Sequence, residues 1–414
     1  MARACYRALS APVPSVIIAT GLFDQRQFRP EAELALRCPQ RLGRHCLADA
    51  IVRTDGNVTF HSNFNLIEYM FILNILKREK NNFEILRLIA ASAVIVGRSR
   101  PITGDKKSRD LVLSILHFDY SGSLAVKFFF LLSGLVVTNS LLTNSDLRRF
   151  LVARVARIFP ALVIVLIIST YIIGPLLTSD PIYTYLSDHA TVKYIYNNII
   201  LRTEFVLPGV FTDTPQKSVN GAIWTIPMEF FCYVILAILG AVGLSKNRLI
   251  FSLIAVVLGS TVLIKPEVLA LFGLPMEYYQ MMVFFAIGTL IAIWKDKVLI
   301  NLEVMAALLI ATYVFRHTPA FSYIVCTTIF SVAIWISTLP IVLNFRLPGD
   351  YSYGTYLAGW PIQQLVYVAF PHMGAVSNWV ISLPIAIAFG AVSWHVIEKP
   401  AMKFGKKLGG RSRS

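Results

Sequence analysis

Four groups of residues in this 414-residue chain join a chemically capable side chain to a spacing that a helix would exploit. The first is Arg87 and Arg98, within Asn81 to Gly104, NNFEILRLIAASAVIVGRSRPITG. Eleven residues at about 100° each make three turns plus roughly 20°, so both guanidinium groups project from one helix face, about 16 Å apart along the axis. The stretch is apolar enough and about long enough to cross a bilayer, where a centrally placed arginine costs from about 2.5 kcal/mol upward. The pair therefore faces protein, water or an anionic ligand, or else snorkels to the two interfaces.

The second group is Asp146 to Pro160, DLRRFLVARVARIFP, with Arg148, Arg149, Arg154 and Arg157 ahead of an apolar run. Arg154 and Arg157 are helical neighbours, and guanidinium offers paired, planar donors to phosphate oxyanions. The plainer account is a positive anchor at the membrane surface. The third is Leu207 to Tyr233, LPGVFTDTPQKSVNGAIWTIPMEFFCY. Asn220 and Trp224 stand at the entrance to a span and Glu229 lies within it, after Pro227, which is expected to kink the helix. A carboxylate inside a membrane needs a cationic or hydrogen-bonding partner, so Glu229 is either functional or half of an ion pair holding helices together. The fourth is Gly349 to Gln364, GDYSYGTYLAGWPIQQ, where small residues allow close helix packing and Tyr353 brings a hydroxyl into the bundle.

None of the seven histidines lies in the stripe with Arg87: His117, His189, His317 and His372 fall in or beside loops, His395 sits late in the last apolar run, and His45 and His61 are N-terminal. No HExxH, GxSxG, Walker loop or GxGxxG ahead of a helix is present. Cys5, Cys38, Cys46, Cys232 and Cys326 show no CxxC spacing and suggest neither a disulfide framework nor a zinc site.

The elements that must position these groups are membrane helices. Only 15% of residues are charged, 56% are hydrophobic, and the mean hydropathy is +0.64, whereas soluble domains carry about 25% charged residues. Apolar runs near 83–103, 121–142, 157–178, 221–243, 248–265, 280–294, 298–315, 320–340, 351–370 and 377–397 predict an all-α polytopic bundle of about ten transmembrane helices. The net charge of +15 does not indicate nucleic-acid binding. The cations gather in alternate short connections, where the positive-inside rule puts both termini in the cytoplasm. Residues 1–62 read as a poorly structured extension without a signal peptide, and 63–80 as an interfacial helix with a basic entry. The membrane domain spans 81–402 and a basic tail 403–414. The 178–220 connection faces outward and is long enough for a lid or binding surface. No internal repeat suggests a transporter built of inverted halves.

At these places the chain resembles the acyltransferase-3 family of integral-membrane O-acyltransferases. The matching words are NNFEILRLIAA…RPITG, FFFLLSGLVVTNSLL, LRRFLVARVARIFPAL, LPGVF…VNGAIWTIPMEF, SYGTYLAGWPIQQ and WHVIEKP, in family order from about 80 to 402. The resemblance implies transfer of an acyl group, usually acetyl from cytoplasmic acetyl-CoA, to a hydroxyl of a surface polysaccharide, lipopolysaccharide or lipid-linked glycan, in the bacterial inner membrane and without a metal. It implies CoA phosphates near Arg148, Arg149, Arg154 and Arg157, chemistry around Arg87, position 98 and Glu229, and acceptor contacts from Asn220, Trp224 and Tyr353. In the family an Arg is followed, after ten residues, by a histidine thought to be catalytic. Arg87 matches the Arg, but Arg98 stands at the histidine's place. Arginine stays protonated and is no general base. Three readings follow: an acyltransferase using another base such as Glu229, a member without activity, or a fold kept for binding as a partner in glycan assembly. A transporter or flippase of an anionic solute is the rival class.

Overall fold

The computed structural model describes residues 71–144, 146–274 and 279–410. The N-terminal extension expected over 1–62 lies outside them, as does most of the interfacial helix expected over 64–76. Its described end is a four-residue turn, Ile72–Ile75, whose two isoleucines are fully buried. Ten long helices run through the described residues: α1 Phe83–Thr103, α2 Ser121–Thr143, α3 Leu147–Ile168, α4 Thr225–Ala241 and α5 Arg248–Ile264, followed by α6 Tyr279–Ile293, α7 Leu302–Val314, α8 Phe321–Ile336, α9 Ser352–Ala369 and α10 Ala375–Ser393. Each occupies an apolar run read from the sequence. The described residues contain no strand, only isolated bridges between Phe71 and Leu299 and between Thr178 and Val210.

Local chemistry sets several of the starts. Asn82, Asp146, Asn247 and Asn301 cap α1, α3, α5 and α7, each accepting from a backbone N–H in the first turn. The Asp146 cap starts α3 ten residues before the expected span, so the arginines at 148–157 ride on the helix rather than on a connection. Pro227, expected to kink α4 ahead of Glu229, falls in the first turn, where its missing N–H forfeits no intrahelical bond.

Two helices continue past their α-helical ends. After α3 a π-helical stretch, Ser169–Ile173, leads into Gly174–Leu177, making 31 residues in all. After α10 a second π-helical stretch, Trp394–Glu398, leads into Lys399–Gly409, making 35 residues. At 1.5 Å per residue these rods are about 46 and 52 Å long, against about 30 Å of hydrocarbon. By length and composition these two and α2 can cross a membrane, and α5 with Pro266–Phe272, bent by 102°, makes a fourth candidate. The remaining apolar helices are shorter or interrupted by polar residues.

The connection 178–220 is folded rather than bare. Helices Ile182–Ser187 and His189–Ile199 bury Tyr185 and Tyr194, and the Tyr185 hydroxyl donates to the Thr170 carbonyl at 2.8 Å, docking the segment on the π-helical part of the α3 rod. Asp119 is also buried and pairs with Lys127 of α2 at 2.7 Å. Asp105 ties the end of α1 to the start of α10. It accepts from the N–H groups of Ala375, Lys107 and Ser108, which hold its carboxyl below the ordinary aspartate range.

The tightest crossing is that of α2 on α6. A Cβ on Gly134 would stand 2.2 Å from the Phe285 carbonyl oxygen, and one on Gly288 only 2.0 Å from that of Leu131. Backbone meets backbone here, so neither helix can yield without moving whole. Gly288→Val should therefore destabilise the detergent-purified protein by about 1–3 kcal/mol or more. Its melting temperature is the measurement.

Candidate active site

Where α1, α3 and α9 begin and the α10 rod ends, the helices enclose a cavity of about 340 Å³. α2 supplies an apolar wall, with Val126, Phe129, Phe130 and Val137. The polar side is built by Arg87 of α1, Arg154 and Arg157 of α3, Glu229 and Tyr233 of α4, and Asp350 just before α9. The i, i+3 spacing of the α3 arginines and the i, i+4 spacing of Glu229 and Tyr233 turn each pair to the same side of its helix.

Most of the charge is internally answered. Asp350 Oδ2 accepts from Arg157 Nη2 at 2.7 Å and Arg87 Nη1 at 3.2 Å. Arg157 Nη1 also donates to Glu398 Oε2 at 2.7 Å, and Glu398 Oε1 accepts from Ser393 at 2.9 Å. The Arg157 guanidinium lies 5.5 Å from the ring centres of both Tyr353 and Trp394. Burying these charges is tolerable because each meets an opposite charge and further donors.

Two charged groups stand outside that ledger. Among the described residues neither Arg154 nor Glu229 forms a salt bridge. Arg154 lies 5.8 Å from the Tyr233 ring centre and 6.0 Å from that of Phe150, and its buried Nε has no hydrogen-bond partner. Glu229 Oε1 accepts from the Tyr233 hydroxyl and, at 3.4 Å, from Ser133 of α2.

Of the ten residues singled out in the sequence, Arg87, Arg154, Arg157, Glu229 and Tyr353 line the cavity. The other five do not. Arg148 and Arg149 are exposed on the first turn of α3, with Arg149 Nε 4.0 Å from Asp146. Asn220 is buried, its amide donating to the Leu357 carbonyl and its oxygen accepting from Ala222 N–H, both at 2.9 Å, so it fastens the entrance of α4 to α9. Trp224 is half-buried at that entrance. Arg98 does share the α9-facing side of α1 with Arg87, but it is buried, with Tyr356 and Trp360 ring centres 5.6 and 5.3 Å away. Tyr356 lines the cavity and Arg98 only touches its ring. His395 is exposed near Tyr351 and forms no part of the site.

Sequence reasoning passed over Asp350, Glu398, Ser133 and Tyr233. The two acids carried a usable signal, since each sits beside an apolar run where an acid needs a partner. The hydroxyls carried none.

A family model described as acyltransferase domain matches residues 80–396. The chain is 28% identical over 332 residues to an O-acetyl transferase of Shigella phage Sf6, an alignment covering 78% of this chain and 96% of that one. It is 26% identical over 373 residues to nodulation protein 10 of Rhizobium leguminosarum bv. viciae, covering 81% and 96%. No solved structure matches it.

The shared carboxylate should govern stability. Asp350→Ala removes the common partner of Arg87 and Arg157 and is expected to cost about 3–5 kcal/mol, the usual penalty for stranding one side of a buried pair. Arg157 keeps Glu398 in that variant, so in thermal unfolding Asp350→Ala combined with Arg87→Met should recover part of the loss.

Proposed function

This chain belongs to the acyltransferase family, and from that premise we propose that it moves an acyl group, acetyl in the first instance, from acyl-CoA to a hydroxyl of a surface or lipid-linked carbohydrate. We read all ten long helices as spans of a bacterial inner membrane with both termini cytoplasmic, as the alternation of cations in the connections supports. The cavity then lies toward the cytoplasm, the side on which acyl-CoA is made, and the acceptor approaches from the opposite end, past Trp224.

The observation that carries the reading is the Glu229–Arg154 arrangement: a carboxylate answered only by hydroxyls, in one cavity with a guanidinium that has no acidic partner. Glu229 takes the proton of the sugar hydroxyl, whose oxygen attacks the thioester carbonyl. Arg154 stabilises the oxyanion that forms. The carbonyl re-forms as the C–S bond breaks, and the CoA thiolate leaves with the proton returned by Glu229. Arg87 and Arg157, held by Asp350 and Glu398, keep the wall in register. Tyr353 lines that wall, its hydroxyl donating to the Ile158 carbonyl at 2.9 Å. Arg98 does not serve as the base, because guanidinium has no lone pair to offer at neutral pH. The relative named O-acetyl transferase supports acetyl as the group carried.

The residues fit such a donor. The oxyanion of the attacked thioester needs a cation not already neutralised, and Arg154 is one. The acyl arm needs an apolar wall, which α2 supplies. Incorporation of labelled acetyl into envelope carbohydrate tests the whole reading in cells expressing the native chain or Glu229→Gln. The native chain should label the acceptor, and Glu229→Gln should reduce labelling by about a hundred- to ten-thousand-fold. Unchanged labelling would place the base elsewhere. No labelling by the native chain, at normal membrane levels and with acceptor present, would favour transport of an anionic solute or a non-catalytic role in glycan assembly.

A further inference from the structure

The region matched to the family ends at residue 396, yet the cavity wall does not. Met402 and Lys406, four residues apart and so on one face of Lys399–Gly409, line the cavity as well. Another face of the same segment carries Gly405 and Gly409, also four apart, and packs against the first turns of α3. A Cβ on Gly405 would stand 2.8 Å from Ala156 Cβ, and one on Gly409 would stand 3.2 Å from Arg149 Cα. The spacing of small residues lets two helices meet at backbone distance, which brings Lys406 to the same cavity as Arg154. Lys406 is exposed while lining the cavity, which puts it at the rim, and it makes no ion pair among the described residues.

We propose that this terminal segment is the outer wall of the donor site and that Lys406 contacts the phosphates at the nucleotide end of acyl-CoA, a role expected from the sequence for Arg148 and Arg149. The inference rests on the acyl-CoA reading above. The geometry divides the donor between two kinds of surface: the reactive end lies deep, with Arg154 and Glu229, and the multiply charged end stays at the rim. A mobile ammonium suits the rim because it can follow a phosphate without a fixed fork of donors. The neighbouring Lys407 does not line the cavity.

Binding of CoA, and of pantetheine as the phosphate-free fragment, to the purified full chain tests this by calorimetry without requiring turnover. Lys406→Glu should weaken CoA binding about tenfold or more, the scale of one lost charge-assisted contact, and leave pantetheine unchanged. Lys407→Glu should change neither. Equal CoA affinity in Lys406→Glu and the native chain overturns the assignment while leaving the acyl-CoA reading standing. So does an equal loss in Lys407→Glu, which would reduce the effect to general surface charge. If the native chain binds neither CoA nor pantetheine, the donor reading fails and takes this assignment with it. Gly405→Leu gives an independent arm: holding the segment off Ala156 should also weaken CoA binding, in protein whose melting temperature shows it is folded.

Discussion

A guanidinium group among apolar helices has to be answered by something, and the way Arg157 is answered organises this molecule. Its two carboxylate partners come from the start of α9 and the π-helical continuation of α10, and one of them also holds Arg87 of α1. Two cations and two anions cancel, so the cluster adds no net charge to the bundle while fixing four chain segments against one another. A neutral, saturated cluster has no capacity left for chemistry. That capacity falls to Glu229 and Arg154, which are drawn into the same cavity but not into the cluster. The separation of charges that hold from charges that can react depends on which oxygen faces which nitrogen, a matter of ångströms within one polar layer.

The helices were legible in the sequence because hydropathy is a local property, and the described helices fall on the apolar runs. Five of the ten singled-out residues reached the cavity for a similarly local reason: Arg154 with Arg157 are related by helical spacing, and Arg87, Glu229 and Tyr353 are polar groups inside apolar runs. Their partners were not legible. Arg157 meets its carboxylates 193 and 241 residues away, and no periodicity connects such distant positions. Arg148 and Arg149 were grouped with their neighbours by composition, but a helix separates residues that composition lumps together, and the Asp146 cap starts the helix early enough to leave those two in solvent. For Asn220, at the mouth of a span, the family resemblance implies an acceptor contact. Both ends of its amide are instead committed to backbone, a fact about α9 that its own surroundings in sequence do not contain.

The long rods of α3 and α10 add a dimension that sequence spans did not convey. Both exceed the hydrocarbon thickness, and their overshooting ends pack on each other through Gly405, Ala156 and Gly409. The arginines of α3 and the end of the α10 rod thereby lie at the same level, at one end of the bundle. A charged ligand arriving there can be met by cations without being drawn through the apolar middle of the helices.

The seat of Arg98 is shared among several residues. The guanidinium packs by two rings of α9, and one of these, Trp360, is itself confined: its indole N–H donates to the Ser218 carbonyl at 2.9 Å, and a Cβ on Gly221 would come within 2.7 Å of its ring. An imidazole is shorter and would leave ring surface bare, so the fit of this slot belongs to residues 98, 218, 221, 356 and 360 jointly. A shorter side chain at position 98 alone would therefore leave a badly packed slot, and only a joint change of these positions would fill it again.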